Sequence, residues 1–295
     1  MPATIVVPQS IGQIGNRLEQ FSHLIAFARE TGCRIINPSF SLYSEFFAGT
    51  HDDLLCRYPA VHSGSTNKAG QRLLYYMIRM AERLGVLSAV PGSTRVDIHW
   101  SAGPYDLGNP QFRCLAQERK WIFLMGHWKH RHWSGYEPSI PATREHFQLI
   151  PQLREKVVRH MQSVREPGTI LIGFHVRQGD NFTDPVRRDA FTSEEHASVA
   201  RQIAALFPGK KVAFLLCTNK PQPRELYQGL TVFDGPGDFI LDLHCLAECD
   251  YIAGAGQSSF SGWASLMGQK PRYRLFDPRQ PITLDDFSVC QGVED

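Results

Sequence analysis

Thr169-Ile170-Leu171-Ile172-Gly173-Phe174-His175-Val176-Arg177-Gln178-Gly179-Asp180 decides how the second half of this chain folds. Its first eight residues are rich in the β-branched and aromatic side chains that suit a strand, and Gly179 turns the chain just beyond. Alternation along a strand sets His175 and Arg177 on one face and Val176 on the other. Downstream, Thr192 with Glu195 three residues later makes a capping box, which predicts a helix over residues 193–206, ended by Pro208-Gly209. Residues 212–216 read as a strand, 239–247 as a helix and 251–253 as a third strand. Gly254-Ala255-Gly256-Gln257-Ser258-Ser259 then leads into a helix through about residue 267. Strands alternating with helices at this spacing call for a parallel sheet covered on both faces.

The amino-terminal end repeats the pattern. Residues 4–7 read as a short buried strand, Gly12-Gln13-Ile14-Gly15-Asn16 as a glycine-bearing turn, and Leu18, Phe21, Ile25 and Ala28 as the apolar face of a helix that Gly32 stops before a strand at 34–36. Strand, turn, helix and strand of this length make a βαβ unit. Residues 58–118 give weak signals, apart from one amphipathic helix near 71–84. The chain therefore reads as two Rossmann-type units, 1–165 and 166–295.

Composition narrows the function. The 31 Lys+Arg against 29 Asp+Glu leave a formal charge of +2, too weak for a nucleic-acid surface, so any bound anion is small and held locally. No apolar run approaches the roughly 20 residues that span a bilayer, and the first nine residues lack a basic segment followed by an apolar one, which suggests a cytoplasmic protein without a transmembrane segment. The seven scattered cysteines include no Cys-x-x-Cys pair and suit reduced thiols. His127, His130 and His132 lie together, but no carboxylate or cysteine nearby completes a metal set. Asp-x-Asp is absent, which disfavours a cation-held diphosphate, and so is a Gly-x-Ser-x-Gly nucleophile elbow.

Open parallel α/β sheets bind ligands at the carboxyl ends of their strands, where helix starts favour anions. Three segments end strands in that way. Gly12 to Asn16 allows a close backbone approach or simply packs. Arg177, held by rigid sheet, could grip a phosphate with its two-pronged guanidinium, or pair with Asp180 to lock the turn. Ser258 and Ser259 could offer hydroxyls to a ligand, cap the following helix, or do both.

In order, these segments resemble the bacterial α-1,2-fucosyltransferase family and, more distantly, other GDP-fucose-dependent transferases. The likeness rests on Gly15-Asn16 with Gln20-Phe21 and Ala26-Phe27-Ala28; on Gly126-His127-Trp128 with Glu145-His146-Phe147; on the His-x-Arg-x-Gly-Asp motif at His175 to Asp180; and on Asp242 through Cys249 followed by Ser258-Ser259-Phe260-Ser261 and Trp263-Ala264.

The resemblance implies a GT-B-like α/β fold, with two Rossmann-type lobes whose parallel sheets face a cleft. The acceptor lobe would be mostly amino-terminal and the nucleotide-sugar lobe mostly carboxy-terminal. It implies metal-independent, inverting transfer of fucose from GDP-fucose to a glycan hydroxyl, with no separate cofactor. Arg177, His175 and Asp180 would be catalytic, Asp180 as a candidate base with Asp184 behind it; either aspartate could instead pair with Arg187 or Arg188. Gly15, Asn16, Arg177, Asp242, Gln257, Ser258 and Ser259 would bind the donor. Trp100, Tyr105, Trp128, Trp133 and Tyr136 could stack on an acceptor sugar or fill the first core.

The sequence also departs from the family. Gln178 stands where a second arginine is usual, Cys217-Thr218-Asn219 where Ser-Asp-Asp is usual, and Lys129 and Arg17 where glutamines are usual. Two alternatives stay open: a transferase for a different nucleotide sugar, and a non-catalytic nucleotide- or glycan-binding protein.

Overall fold

Thr4–Val6 forms β1, flanked by parallel strands on both sides in the computed structural model, which describes residues 2–62, 68–99, 101, 103–127, 129–178 and 191–291. The chain divides into two units, Met1–Pro151 and Gln152–Asp295.

In the first unit, α1 (Ile14–Thr31) buries Leu18, Phe21, Ile25 and Ala28, and Gly32 ends it in the left-handed region at φ 75°, its N–H bonding the Ala28 carbonyl. β2 (Arg34–Ile36) then pairs parallel to β1, which completes the βαβ unit expected from the spacing. β3 (Arg57–Tyr58) joins β2 antiparallel and is followed by α2 (Lys68–Arg83).

The stretch with weak sequence signals holds more structure than its pattern suggests. β4 (Ser93–Ile98) forms an outer strand, Tyr105–Asp106 is β5, and α3 (Pro110–Glu118) starts on Asn109, whose side chain accepts from the Phe112 N–H. β6 (Trp121–Gly126) runs between β1 and β4 with Ile122 to Met125 buried, giving the sheet order β3-β2-β1-β6-β4. β7 (His130–Arg131) makes a separate parallel ladder with β5, and α4 (Tyr136–His146) packs on α1. Phe147, just past α4, meets Phe21, Phe40 and Phe47 at ring-centroid distances of 5.4 to 5.5 Å, mostly edge to face.

The second unit starts earlier than the sequence suggests. α5 (Pro151–Val164) belongs to it apart from its first residue, because His160 Nε2 lies 3.1 Å from the Asp234 carbonyl oxygen and Arg165, just after the helix, donates to the Glu248 carbonyl at 2.7 Å. β8 (Thr169–Val176) is central, between β9 (Lys211–Thr218) and a later strand. The capping box at Thr192 and Glu195 is formed and starts α6 (Ser193–Ala205). β10 (Thr231–Asp234), α7 (Phe239–Glu248), β11 (Tyr251–Ala255), α8 (Ser259–Gly268), β12 (Pro271–Leu275) and β13 (Phe287–Val289) follow. The sheet order is β10-β9-β8-β11-β12-β13, all parallel except β13. Ile172, Phe174, Val176, Phe214 and Leu216 bury one face of it against Val199, Ala200 and Ile203 of α6.

α7 and α8 pack closely enough to exclude a side chain at Gly268, where a Cβ would overlap the Ala247 carbonyl oxygen and lie 2.8 Å from its carbon. Gly268→Ala should therefore destabilise the protein by about 2–3 kcal/mol. Gln269→Ala, on the next residue, provides a surface comparison. A thermal melt in which Gly268→Ala matches wild type would show that the two helices have slack there.

Candidate functional site

The candidate site lies at the carboxyl end of the second unit's sheet. His175, the penultimate residue of β8, pairs in register with Gly254 of β11 and Cys217 of β9. Gly254 is needed because a Cβ there would lie 3.1 Å from His175 Cβ and 2.9 Å from Ser261 Oγ. Across this gap His175 Nδ1 shares a hydrogen bond with Ser258 Oγ at 3.3 Å, and its ring lies on Phe260 at 4.7 Å. Burial first, then the charges of Arg177 and Arg272, push the imidazole down to about 3, so it is neutral near pH 7.

Arg177 follows directly after β8, partly buried and close enough to His175 to depress its titration. Ser258 precedes α8 in extended conformation without capping it. Its hydroxyl goes to His175 instead, so of its two expected roles the cap is not the one it takes. α8 carries no acidic residue in its first turn, so no carboxylate there offsets the positive end of the helix dipole. Ser259 is partly buried at this helix start, and Gln257 is exposed on the turn before it.

Two arginines absent from the sequence expectation hold that turn. Arg272 Nη2 donates to the carbonyls of Ala255 at 2.8 Å and Gly256 at 3.3 Å, and Arg274 Nε donates to Gly256 at 3.2 Å. The signal was present in Arg272-Tyr273-Arg274: two like charges on one face of a strand need acceptors on its neighbour. Gly256 leaves room for the ring of Phe276, which a Cβ would overlap.

Gln178 does not leave a gap in place of the family's arginine. Its Nε2 donates to Ser193 Oγ at 2.8 Å, its Oε1 accepts from Gln222 Nε2 at 2.8 Å, and its N–H reaches Asn219 Oδ1 at 3.4 Å. An amide network thus ties the end of β8 to the start of α6 and to the segment after β9.

Asp242 sits one strand away, beyond Cys217, whose Sγ lies 3.7 Å from the Asp242 carbonyl oxygen. Its buried carboxyl is pushed up to about 6, chiefly by burial. Oδ1 accepts from the Gly237 N–H at 3.1 Å and would be 2.6 Å from a Cβ on Gly235, so Asp242 clamps the Gly235–Gly237 loop. Asp180, with Asp184, Arg187 and Arg188, lies outside the described residues.

Gly15 and Asn16 belong to the first unit, and the expected turn over residues 12–16 is corrected by an earlier helix start. Gln13 is the last extended residue, so both lie inside the first turn of α1, with Gly15 buried. The turn itself is Gly12, at φ 77°, with the Asn16 side chain packed beneath it: a Cβ on Gly12 would be 2.5 Å from Asn16 Nδ2. Arg17 fixes this loop, donating to the carbonyls of Gly12 at 2.9 Å and Ser39 at 3.1 Å.

His130 and His132 are used in packing: His130 Nδ1 lies 2.7 Å from Gln20 Nε2, and His132 Nε2 lies 2.6 Å from Glu30 Oε2. Among the described residues no group of three or more His, Cys, Asp or Glu could hold a metal ion. Tyr136 is a core residue, bonded to Ser22 at 2.9 Å and lying on His23 at 4.1 Å, while Trp133 is partly exposed and Trp100 and Trp128 lie outside the described residues.

No protein-family model matches the chain, and no curated protein matches it at a significant level. Solved structures do. The chain is similar to FUT1 of Arabidopsis thaliana in complex with GDP (12% identity, TM-score 0.59, covering 95% of this chain and 73% of that one). It is similar to fucosyltransferase NodZ from Bradyrhizobium (16% identity, TM-score 0.55, 95% and 98%). It is also similar to POFUT1 in complex with GDP-fucose (11% identity, TM-score 0.54, 92% and 96%). The fold is the one these GT-B fucosyltransferases share.

The buried histidines give a pH signature. Burial pushes His130 and His175 down to about 3 and His146 and His244 down to about 4. The unfolded chain takes up these protons first, so their contribution is complete above about 6.5 and is lost as pH falls toward 4. Asp242 has the opposite sign: its folded pKa is raised, so its contribution is present below about 4 and lost as pH rises through about 6. Four groups outweigh one, and stability should fall from pH 7 to pH 5. His175→Asn should flatten that slope by at most about 1.4 kcal/mol per pH unit. Denaturant titrations across the range test this, and an unchanged slope in the variant would mean that His175 titrates normally.

Proposed function

We propose that this protein is an inverting glycosyltransferase that moves fucose from GDP-fucose to a glycan hydroxyl without a metal ion, in the α-1,2 manner that its motifs resemble. The observation that carries this reading is Arg177 beside a neutral His175, at the same sheet edge as an uncapped helix start. The fold supports it, because FUT1 and POFUT1 were solved with GDP or GDP-fucose.

The acceptor oxygen bonds to the anomeric carbon while the bond from that carbon to the diphosphate oxygen breaks. GDP leaves with the electron pair, and the acceptor's proton passes to a base. Negative charge grows on the departing diphosphate as positive charge grows on the sugar. Arg177 offers that diphosphate a fixed charge and two N–H prongs, and the start of α8 adds its dipole with the Ser258 and Ser259 hydroxyls. A neutral His175 orients Ser258 without adding a charge of its own. Gln257 borders the same turn. Asp242 contributes by shaping the Gly235–Gly237 loop; Gly15 and Asn16 are proposed donor contacts, and Asp180 is the candidate base.

The end of β9 favours a second reading, a transferase for another nucleotide sugar. Thr218 and Asn219 stand where the resembled family is acidic, and both make local bonds, Thr218 Oγ1 to Lys220 and Asn219 Oδ1 to Gln178.

Calorimetric titration of GDP, GDP-fucose and UDP in the presence of a chelator separates the readings. GDP should bind more tightly than UDP, and Arg177→Ala should weaken it about 10- to 100-fold, the range for a hydrogen bond to a charged group. Preference for UDP would move the protein to the second reading. Absence of binding, or an Arg177→Ala variant that binds as wild type, would overturn the donor site.

A further inference from the structure

α2 leaves an apolar stripe facing outward. Its inward side is pinned by polar groups: buried Gln71 accepts from Ser44 Oγ at 2.7 Å and donates to the Asp53 carbonyl at 2.8 Å, and the Tyr75 hydroxyl lies 2.8 Å from Ser10 Oγ. Its outward side is apolar. Leu73, Tyr76, Met77 and Met80 recur at helical spacing, Leu84 and Val86 continue the stripe just past the helix, and all six are more than half exposed. A globular helix normally turns such a stripe to the core.

Charge distinguishes among occupants of this face. At 100° per residue, Arg72, Arg79 and Arg83 fall in one column along the flank of the stripe, with Arg72 and Arg83 exposed. The helix's one acidic residue, Glu82, is already bonded by Arg79 at 2.8 Å and approached by Arg95 at 3.7 Å. A second copy of this face would bring more arginines and no carboxylate to meet them. An apolar stripe edged by arginines matches the boundary between lipid headgroups and acyl chains, with phosphates above and hydrocarbon below. No described helix is long and apolar enough to cross a membrane.

We propose that α2 docks this protein on an anionic lipid surface, lying in the interface with Leu73, Met77, Met80 and Leu84 inserted and Arg72 and Arg83 on headgroup phosphates. The proposal rests on the exposed stripe and arginines of α2 and stands whether or not the donor-site assignment holds.

The test is sedimentation of the full chain with vesicles of phosphatidylcholine alone or mixed with phosphatidylglycerol. The protein should bind the mixed vesicles, more weakly as salt rises, and bind phosphatidylcholine poorly. Arg72→Gln and Arg83→Gln should each weaken binding about fivefold. Met77→Glu with Met80→Glu should abolish it while leaving the melting temperature and the GDP titration unchanged. Absence of binding to mixed vesicles overturns the proposal, as does a glutamate variant that binds like wild type. A vesicle-free dimer that the glutamates dissociate would assign the face to a second copy instead.

Discussion

The closeness of β11 to the end of β8 governs the whole candidate site. Gly254 opposite His175 lets Ser261 and the start of α8 approach to a distance that a side chain at position 254 would crowd. Once they are that close, Phe260 covers the imidazole and Ser258 bonds it, so the hydroxyl that would cap α8 is used elsewhere. That Ser258 does not cap the helix start is a consequence of how His175 is packed. The turn before it is secured from the next strand, where the buried Arg272 donates to the backbone carbonyls of Ala255 and Gly256. Hydrogen bonds from a charged donor are strong enough to hold such a turn.

Burial first, then the neighbouring arginines, sets the state of His175. An imidazole enclosed by protein and flanked by two arginines gains nothing from a third cation, and its proton is driven off. Near neutral pH the imidazole therefore adds no charge of its own to that of the arginines beside it. Asp242 follows the same rule of burial with the opposite result, since losing water favours its protonated form while the Gly237 N–H opposes that shift.

Much of this was legible in the sequence where local chemistry and tertiary packing agree. The capping box, Gly32 and the β-rich run ending at Val176 each specify structure within a few residues, and each forms as expected. β6 was missed because a short apolar run buried on both faces has no alternation to betray it, and β12 because its arginines mask a strand pattern. The turn at residues 12–16 was misread because Gly15 looks like turn chemistry, whereas Gly12 supplies the positive φ and Gly15 is only small and buried. At this sheet edge, the places of His175, Arg177 and Ser258 were visible because strand ends announce themselves. Ser193, Gln222 and Arg272 were not, because their contacts depend on which strands become neighbours.

Gln178 shows how a departure from a family pattern acquires physical meaning only in three dimensions. Removing an arginine from an anion site lowers its charge, and sequence alone makes the change look like a loss. Here the amide accepts from Gln222 and donates to Ser193, which a guanidinium, having donors only, could not do. The substitution exchanges one cation for a bridge between the end of β8, the start of α6 and the segment after β9. In the proposed reaction, that leaves Arg177 and the α8 dipole to meet the diphosphate from this sheet edge, so the binding energy of a charged leaving group concentrates on one side chain. A site arranged this way relies less on total positive charge than on Arg177 being held in the right place, which is what the rigid end of β8 and its amide bridge provide.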